Sequence, residues 1–431
     1  MPCRNRAKVN PKGGLFLSIN SDISMTVLRL LAECGRVSRR IFDMLPFSYR
    51  NTCAYIKKLV DSKNISLSGV GNSKSYTLLD NGRKTLSAYN PQRYTPDLFT
   101  LNKLLIRHPE RSRLRGDVAA VMSLAGYAVH PDDKPTLPAY TPKPPDHQYA
   151  GLRSLYQNHK PHEYGQIIRD RMTYVKHITP VNCYYDSIQL KSLLDNNTDK
   201  GVSYSRACGA LLTPSCLFRV YHSRNVAMRF FKTGEENLLT LLQYAFGGYI
   251  PDNQSGILVF GVDWSSAISI LNNYLRNKRI PPPKSGNAAG EILTTTNLGN
   301  PLYYLPLQSE AIQLLRLMRF PDWRKSLMCF AAMNHAQKNQ TGWSYQHEGR
   351  RVRIIADLNL TNIAIVLRGM MKNPLDPATL LCLPWQKEFI CGLAGEYGGD
   401  KADVQVISLH DGFMDDLINN HLIPHWGECI D

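Results

Sequence analysis

Residues 48–62 carry the side chains of this sequence that are best suited to binding chemistry. Apolar residues at helical spacing predict a helix over 49–62, with an inward stripe of Thr52, Ile56, Leu59 and Val60. The other face then presents Arg50, Asn51, Tyr55, Lys57 and Lys58. Such a helix fits the major groove of DNA, where base edges present distinguishable donors and acceptors. We therefore expect Arg50 to read guanine and Asn51 to read adenine.

A second group of side chains near this helix has the chemistry of phosphate contacts. The group comprises Arg39 and Arg40 on a preceding predicted helix, Ser48 and Tyr49 at the start of the 49–62 helix, and Lys74 beside a predicted hairpin tip. Basic and hydroxyl groups of this kind hold the DNA backbone and fix the register of a protein on it. The alternative is a solvated basic face on a protein-binding domain, which the aromatic and amide groups among the charges disfavour.

The elements that must position these residues follow the order of a winged helix. The predicted elements are helices over 22–33, 37–45 and 49–62, strands over 65–67 and 74–79, and a last helix capped by Asp80. We expect Gly35 to end the first helix and Ser48 to cap the third. Residues 75–86, with the sequence SYTLLDNGRKTL, resemble the second wing strand and following helix of bacterial winged-helix regulators.

The positive charge of the chain is concentrated in its first part. Residues 1–120 hold 21 Lys and Arg against 8 Asp and Glu, whereas the remaining 311 residues hold 30 against 27. A basic block on a nearly neutral body indicates a polyanionic partner, here double-stranded DNA. The block includes a basic helical pattern with Arg107, Arg111, Arg113 and Arg115, so we expect the DNA footprint to extend beyond the winged helix.

Patterning along the chain predicts several segments. They are a basic flexible arm over 1–20, a winged-helix DNA-binding domain over 21–90, a basic helical connector over 91–130, a proline-rich linker over 131–164 and an α/β domain over 165–431. Strand-like runs alternate with helical patterns in the last segment, which favours α/β architecture in a chain that is α+β overall. We expect a mixed sheet there, because residues 207–231 predict a meander.

Catalytic motifs are not found in the α/β segment. The sequence has no His-x-His pair of the kind a nicking relaxase uses and no phosphate-binding loop. Asp357 ends an apolar run, but the next run, 380–383, continues to Lys387 without a second acidic residue. A restriction-type nuclease needs two carboxylates to hold its metal ion and a lysine to steady the attacking water. We therefore expect no catalytic residue, metal or cofactor, and at most a nuclease-like core without its catalytic set. A metal-dependent nuclease with a non-standard site around Asp357 is the alternative.

Cysteine usage and hydropathy bear on the compartment. The ten cysteines form no C-x-x-C pair, so we expect reduced, buried thiols. No apolar run reaches the roughly 18 residues that a membrane span needs, and no secretory signal is evident. These features predict a cytoplasmic protein without a membrane partner.

The layout resembles the replication-relaxation family of plasmids and integrative conjugative elements. Besides the winged-helix pattern, the matching stretches are 113–118, 125–126, 130–135, 204–212 and 383–386. The resemblance implies a DNA-binding role in replication or conjugative transfer of a mobile genetic element. Together with the missing catalytic motifs, it leads us to expect a non-enzymatic, sequence-specific DNA-binding protein. The α/β domain is then expected to form a homodimer or to recruit a relaxase or replication enzyme. A transcriptional regulator whose α/β domain senses a ligand or dimerises is the alternative.

Overall fold

The chain is mixed α/β and divides into two compact units, Met1–Leu124 and Ala125–Asp431. The computed structural model describes residues 22–69, 74–96, 98–99, 109–134, 182–192, 205–223, 228–246, 255–275, 291–295, 299–335, 343–398 and 403–419. The predicted basic arm, most of the predicted proline-rich linker, the wing tip 70–73 and Arg107 lie outside these residues.

The first unit combines five helices and three short strands among its described residues. The helices are α1 (Asp22–Cys34), α2 (Arg39–Asp43), α3 (Tyr49–Asp61), α4 (Asp80–Tyr89) and α5 (Pro109–Leu124). The strands are β1 (Val37–Ser38), β2 (Ile65–Ser68) and β3 (Ser75–Leu78), which form an antiparallel sheet in the order β1-β3-β2. The helix α5, which the sequence placed in a connector, belongs to this unit.

Two details of the first unit differ from the prediction. Val37 and Ser38 begin no helix, because they pair with Tyr76 and Ser75 as a third strand of the sheet. This pairing joins residues almost forty positions apart, so local periodicity could not reveal it. Asp80 is the first residue of α4 rather than its cap, and the N-cap position is held by Leu79.

Two glycines fix how α1 ends and how α5 packs. Gly35 has φ +80° and its N–H bonds the Leu31 carbonyl at 2.9 Å, so it ends α1 as predicted. Gly116 brings α5 against the backbone that follows α1. A Cβ at Gly116 would lie 1.8 Å from the Arg36 carbonyl oxygen, so only glycine fits there.

The second unit alternates strands and helices along most of its described length. Its strands are β4 (Cys183–Asp186), β5 (Gly209–Leu212), β6 (Leu217–His222), β7 (Arg229–Phe230), β8 (Ser255–Gly261), β9 (Glu291–Ile292), β10 (Leu302–Pro306), β11 (Ser344–His347), β12 (Arg350–Ile354), β13 (Ala378–Cys382) and β14 (Val404–Ser408). Its helices are α6 (Ser187–Ser192), α7 (Lys232–Phe246), α8 (Ser265–Leu275), α9 (Ser309–Leu317), α10 (Trp323–Asn334), α11 (Leu360–Lys372), α12 (Lys387–Gly398) and α13 (Phe413–Asn419).

The two larger sheets are mixed, as predicted. One has the order β10-β8-β6-β5-β4, with β10, β8 and β6 parallel and the other pairs antiparallel. The other has the order β11-β12-β13-β14, in which the edge strand β11 alone is antiparallel. The predicted meander is right for β5 and β6 and wrong for β7. That strand leaves the sheet and pairs with β9 instead.

One apolar cluster of the second unit joins elements of both sheets. It includes Val259 of β8, Tyr304 of β10, Leu380 of β13 and Leu367 of α11, which are at most 2% exposed. Burial of this extent is the main favourable contribution to folding. Among the described residues, no helix combines the length and apolarity required to cross a membrane.

Candidate nucleic-acid interface

Helix α3 starts at a side-chain cap and turns an apolar stripe inward. The Ser48 Oγ accepts the N–H of Asn51 at 3.3 Å, which satisfies one of the free donors at the helix start. Thr52, Ile56 and Leu59 are buried, whereas Val60 is half-buried. The cap and the stripe were both predicted, and together they fix which face of α3 meets solvent.

The solvent-facing side of α3 carries a row of exposed residues, with the small residue Ala54 near the centre of the row. Arg50, Ala54, Lys57 and Lys58 are exposed, at the spacing i, i+4, i+7 and i+8 of a single helix face. Asn51 is exposed on the same side of the helix, three residues before Ala54. Among the described residues, the side chains of Arg50 and Lys57 form no hydrogen bond or ion pair. We call Arg50, Asn51, Ala54, Lys57 and Lys58 the α3 row.

Ala54 was missed by the sequence analysis. Its position follows from helical periodicity alone, since it lies four residues after Arg50, but a search for charged and amide groups passes over it. A methyl side chain at the centre of such a row lets the helix backbone approach a partner closely, and alanine can contact the methyl group of thymine.

Arg39, expected as a phosphate contact, is engaged within the protein. Its Nε donates to Asp43 Oδ1 at 3.1 Å and its Nη2 donates to Cys53 Sγ at 2.7 Å. The guanidinium also lies over the Tyr49 ring, 5.4 Å from its centroid. Partial burial lowers the pKa of Arg39, but the hydrogen bonds outweigh it and the net shift is upward. Arg39 therefore ties α2 to α3 and orients Tyr49, which is 67% exposed.

The side chains of the other predicted contacts near α3 differ in their surroundings. Lys58 Nζ lies 4.9 Å from the centroid of the half-buried Tyr55 ring, a cation–π contact that keeps this lysine along the helix. Ser48, Arg40 and Lys74 are exposed. The structure thus brings Ser48, Tyr49 and the α3 row together on one helix.

The base of the hairpin is held by a residue that the sequence analysis did not single out. Arg36 Nη1 donates to Ser68 Oγ at 2.9 Å and to Ser75 Oγ at 3.4 Å, which joins the end of β2 to the start of β3. Lys74 directly precedes that join. Arg36 therefore fixes the point at which the chain enters the hairpin tip.

One of the connector arginines, Arg113, lies beside a buried carboxylate. Arg111 is exposed, Arg115 is half-buried, and Arg113 Nη1 lies 4.0 Å from Asp117 Oδ2. Asp117 is 2% exposed and its Oδ1 accepts the N–H of Ser38 at 2.6 Å. Burial raises the pKa of Asp117 to about 6, against the opposing effects of that hydrogen bond and of Arg113. Asp117 thus links α5 to the strand β1 that precedes α2.

In the second unit, Asp357 is fully buried at the end of the segment that follows β12. Its Oδ2 accepts the Nε–H of Arg324 at 2.7 Å and its Oδ1 accepts the N–H of Asn359 at 3.1 Å. Burial raises the pKa of Asp357, opposed by the charge of Arg324. Within the described part of the chain, no group of three His, Cys, Asp or Glu side chains is placed to hold a metal ion. Asp357 thus has the contacts of a structural ion pair.

A second buried carboxylate organises the five-stranded sheet. Glu235 of α7 accepts hydrogen bonds from Ser205 Oγ at 2.9 Å, from Tyr221 OH at 2.5 Å and from the Arg206 N–H at 2.8 Å. Arg219, 1% exposed, donates to the Glu235 carbonyl at 3.3 Å. All four contacts join α7 to the β5–β6 region, so this network is a structural one.

Comparison with known proteins supplies no relative: no family model, no curated protein and no solved structure matches this chain.

Proposed function

We propose that the first unit is a winged helix that binds double-stranded DNA, with the α3 row in the major groove. The observation that carries the proposal is the α3 row itself. It places three cations and an amide on one exposed helix face without an acidic partner among the described residues. Asp61 lies at the far end of the helix, about one turn beyond Lys58.

The remaining elements support the proposal through their order. Three helices precede a two-stranded hairpin, and the hairpin gains the short strand β1 as a third member. A winged helix has this order, with the third helix as its reading element. In this assignment Arg50 and Asn51 read bases, Ala54 allows close approach, and Lys57, Lys58, Lys74 and Tyr49 hold phosphates.

The test is a salt-titrated mobility shift on DNA fragments that the full chain selects from a random pool. Arg50→Ala should relax the preference at one base position, at a cost of about 1–3 kcal/mol. Lys57→Ala should weaken binding to all sequences alike and lower the slope of log affinity against log salt by about one, because one phosphate contact is lost.

A matched control separates a local contact from a general loss of charge. Lys372→Ala removes one exposed lysine from α11 of the second unit and changes the net charge by the same amount as Lys57→Ala. We expect it to leave both the affinity and the salt slope unchanged. The assignment is refuted if Arg50→Ala and Lys57→Ala bind like the wild type, or if Lys372→Ala is equally impaired.

The biological role that we propose is action at a site in the replication or conjugative transfer of a mobile genetic element. This part rests on the resemblance of 113–118, 130–135, 204–212 and 383–386 to the replication-relaxation family. Fragments selected from the parent element would test it. An origin-like target supports the proposal, and a lone promoter would favour a transcriptional regulator instead.

A further inference from the structure

A cavity of about 280 Å³ lies at the carboxyl end of the parallel strands β13 and β14. One wall is the segment that follows β13, with Leu383, Pro384 and Trp385. A second is the segment from His410 to Met414 that follows β14, and the third is the α9 face with Glu310 and Gln313. In α/β sheets the carboxyl edge of parallel strands is the usual place for ligands, and this volume suits a small one.

Carboxylates dominate the charge of this cavity. Glu310 and Asp411 both line it, and no Lys or Arg does. Asp411 is exposed, and within the described part of the chain its side chain forms no hydrogen bond or ion pair. Glu310 Oε2 accepts only the hydroxyl of the adjacent Ser309, at 2.8 Å. Both carboxylates are therefore available to a ligand.

The helix ends nearby do not reverse this charge. The N-termini of α9 and α13 each contribute the equivalent of about half a positive charge. Their first turns already contain Glu310 on α9 and Asp415 and Asp416 on α13. Gln313 Nε2 donates to Asp415 Oδ1 at 3.0 Å and so fixes α9 to α13 across the cavity. The site stays negative in a chain whose formal net charge is +16.

The aromatic walls of the cavity add a second attraction for cations. Trp385 lines the cavity and is held in place by a stacked contact with Trp264, 5.7 Å between ring centroids. Phe413 on the opposite segment is 1% exposed and packs against Phe330 at 4.9 Å, so Trp385 is the aromatic side chain that a ligand can reach. Aromatic faces attract ammonium and guanidinium groups, and they also cover a short apolar stem.

We propose that this cavity binds an organic cation with at least one ammonium or guanidinium group on a short stem. The charged group pairs with Asp411 and Glu310, and the stem lies against Trp385. The site is independent of the α3 row, and its failure would leave the DNA-binding proposal untouched. The cation is either a free amine or the side chain of a basic peptide.

The test is isothermal titration calorimetry of the full chain with agmatine, putrescine and a blocked tripeptide with a central arginine. We expect saturable, one-to-one binding of at least one of them, and no binding of succinate. Tighter binding of agmatine assigns a free amine, and tighter binding of the tripeptide assigns a partner side chain. Asp411→Asn and Glu310→Gln should each weaken the binding about tenfold or more, since each removes a charge-assisted hydrogen bond.

The control variant is Asp376→Asn, which neutralises an exposed carboxylate in the turn after α11 and should bind like the wild type. The two cavity variants are nearly isosteric, and either one tests the site if the other fails to fold. The proposal is overturned if the wild type binds none of the three cations in the millimolar range. It is also overturned if both cavity variants retain full affinity, or if Mg²⁺ binds and the amines do not.

Discussion

Neutralising Asp117 should remove a pH-dependent loss of stability from the first unit. Burial raises the pKa of this carboxyl from 3.8 to about 6 in the folded chain. The folded state therefore binds the proton more tightly than the unfolded state does. The resulting stabilisation is fully present below about pH 3.8 and is lost as the pH rises through about 6. Two pKa units correspond to roughly 3 kcal/mol of unfolding free energy.

Asp117→Asn mimics the protonated carboxyl and keeps an oxygen that can accept the N–H of Ser38. We expect this variant to retain at neutral pH the stability that the wild type has only in acid. The other ionisable groups of the first unit are the same in wild type and variant, so their contributions cancel when the two are compared. The informative quantity is therefore the difference between wild type and variant at each pH.

The assay must measure the unfolding free energy of the first unit separately from that of the second. All five tryptophans lie beyond residue 124, so their fluorescence reports on the second unit only. Hydrogen exchange followed by mass spectrometry on peptides from 22–124, across a urea series, gives the unfolding free energy of the first unit. Asp61→Asn, at an exposed position on α3, is the matched control. A pH dependence that is the same in wild type and Asp117→Asn would refute the reasoning.

Three further substitutions test the packing of the two units. Gly116→Ala should destabilise the first unit by about 1–3 kcal/mol or more, because its Cβ would meet the Arg36 carbonyl. A Cβ at Gly369 of α11 would have no atom within 4 Å. Because alanine favours the helix more than glycine does, Gly369→Ala should stabilise the second unit by up to about 1 kcal/mol, measured by urea unfolding. Glu235→Ala should cost about 3 kcal/mol or more, since it leaves three donors, among them the buried Tyr221 hydroxyl, without their acceptor at about 1–3 kcal/mol each. If urea unfolding followed by tryptophan fluorescence showed no loss of stability in Glu235→Ala, this hydrogen-bond network would not stabilise the second unit.

The sequence predicted most elements of the second unit because their apolar runs are long and bounded by turn residues. The apolar pattern predicts a helix over 265–275, which are the observed limits of α8, and a strand over 256–262, within one residue of β8 at each end. A strand-like run that ends at Asp186 predicts β4. The strand β11 was not predicted, because it is an edge strand of mostly half-buried polar residues and its local pattern does not differ from that of a loop.

The prediction of side-chain roles was limited by contacts between distant positions. The local sequence pattern predicts that Arg39 and Arg50 are both exposed and free to bind a partner. Only the fold shows that the guanidinium of Arg39 is held by Asp43 and Cys53, whereas Arg50 has no such partner among the described residues. An arginine that already has an acceptor gains less from a phosphate than one whose donors face solvent. The proposed interface therefore narrows to the α3 row with Tyr49 and Lys74, and the part proposed for Arg39 is to orient Tyr49.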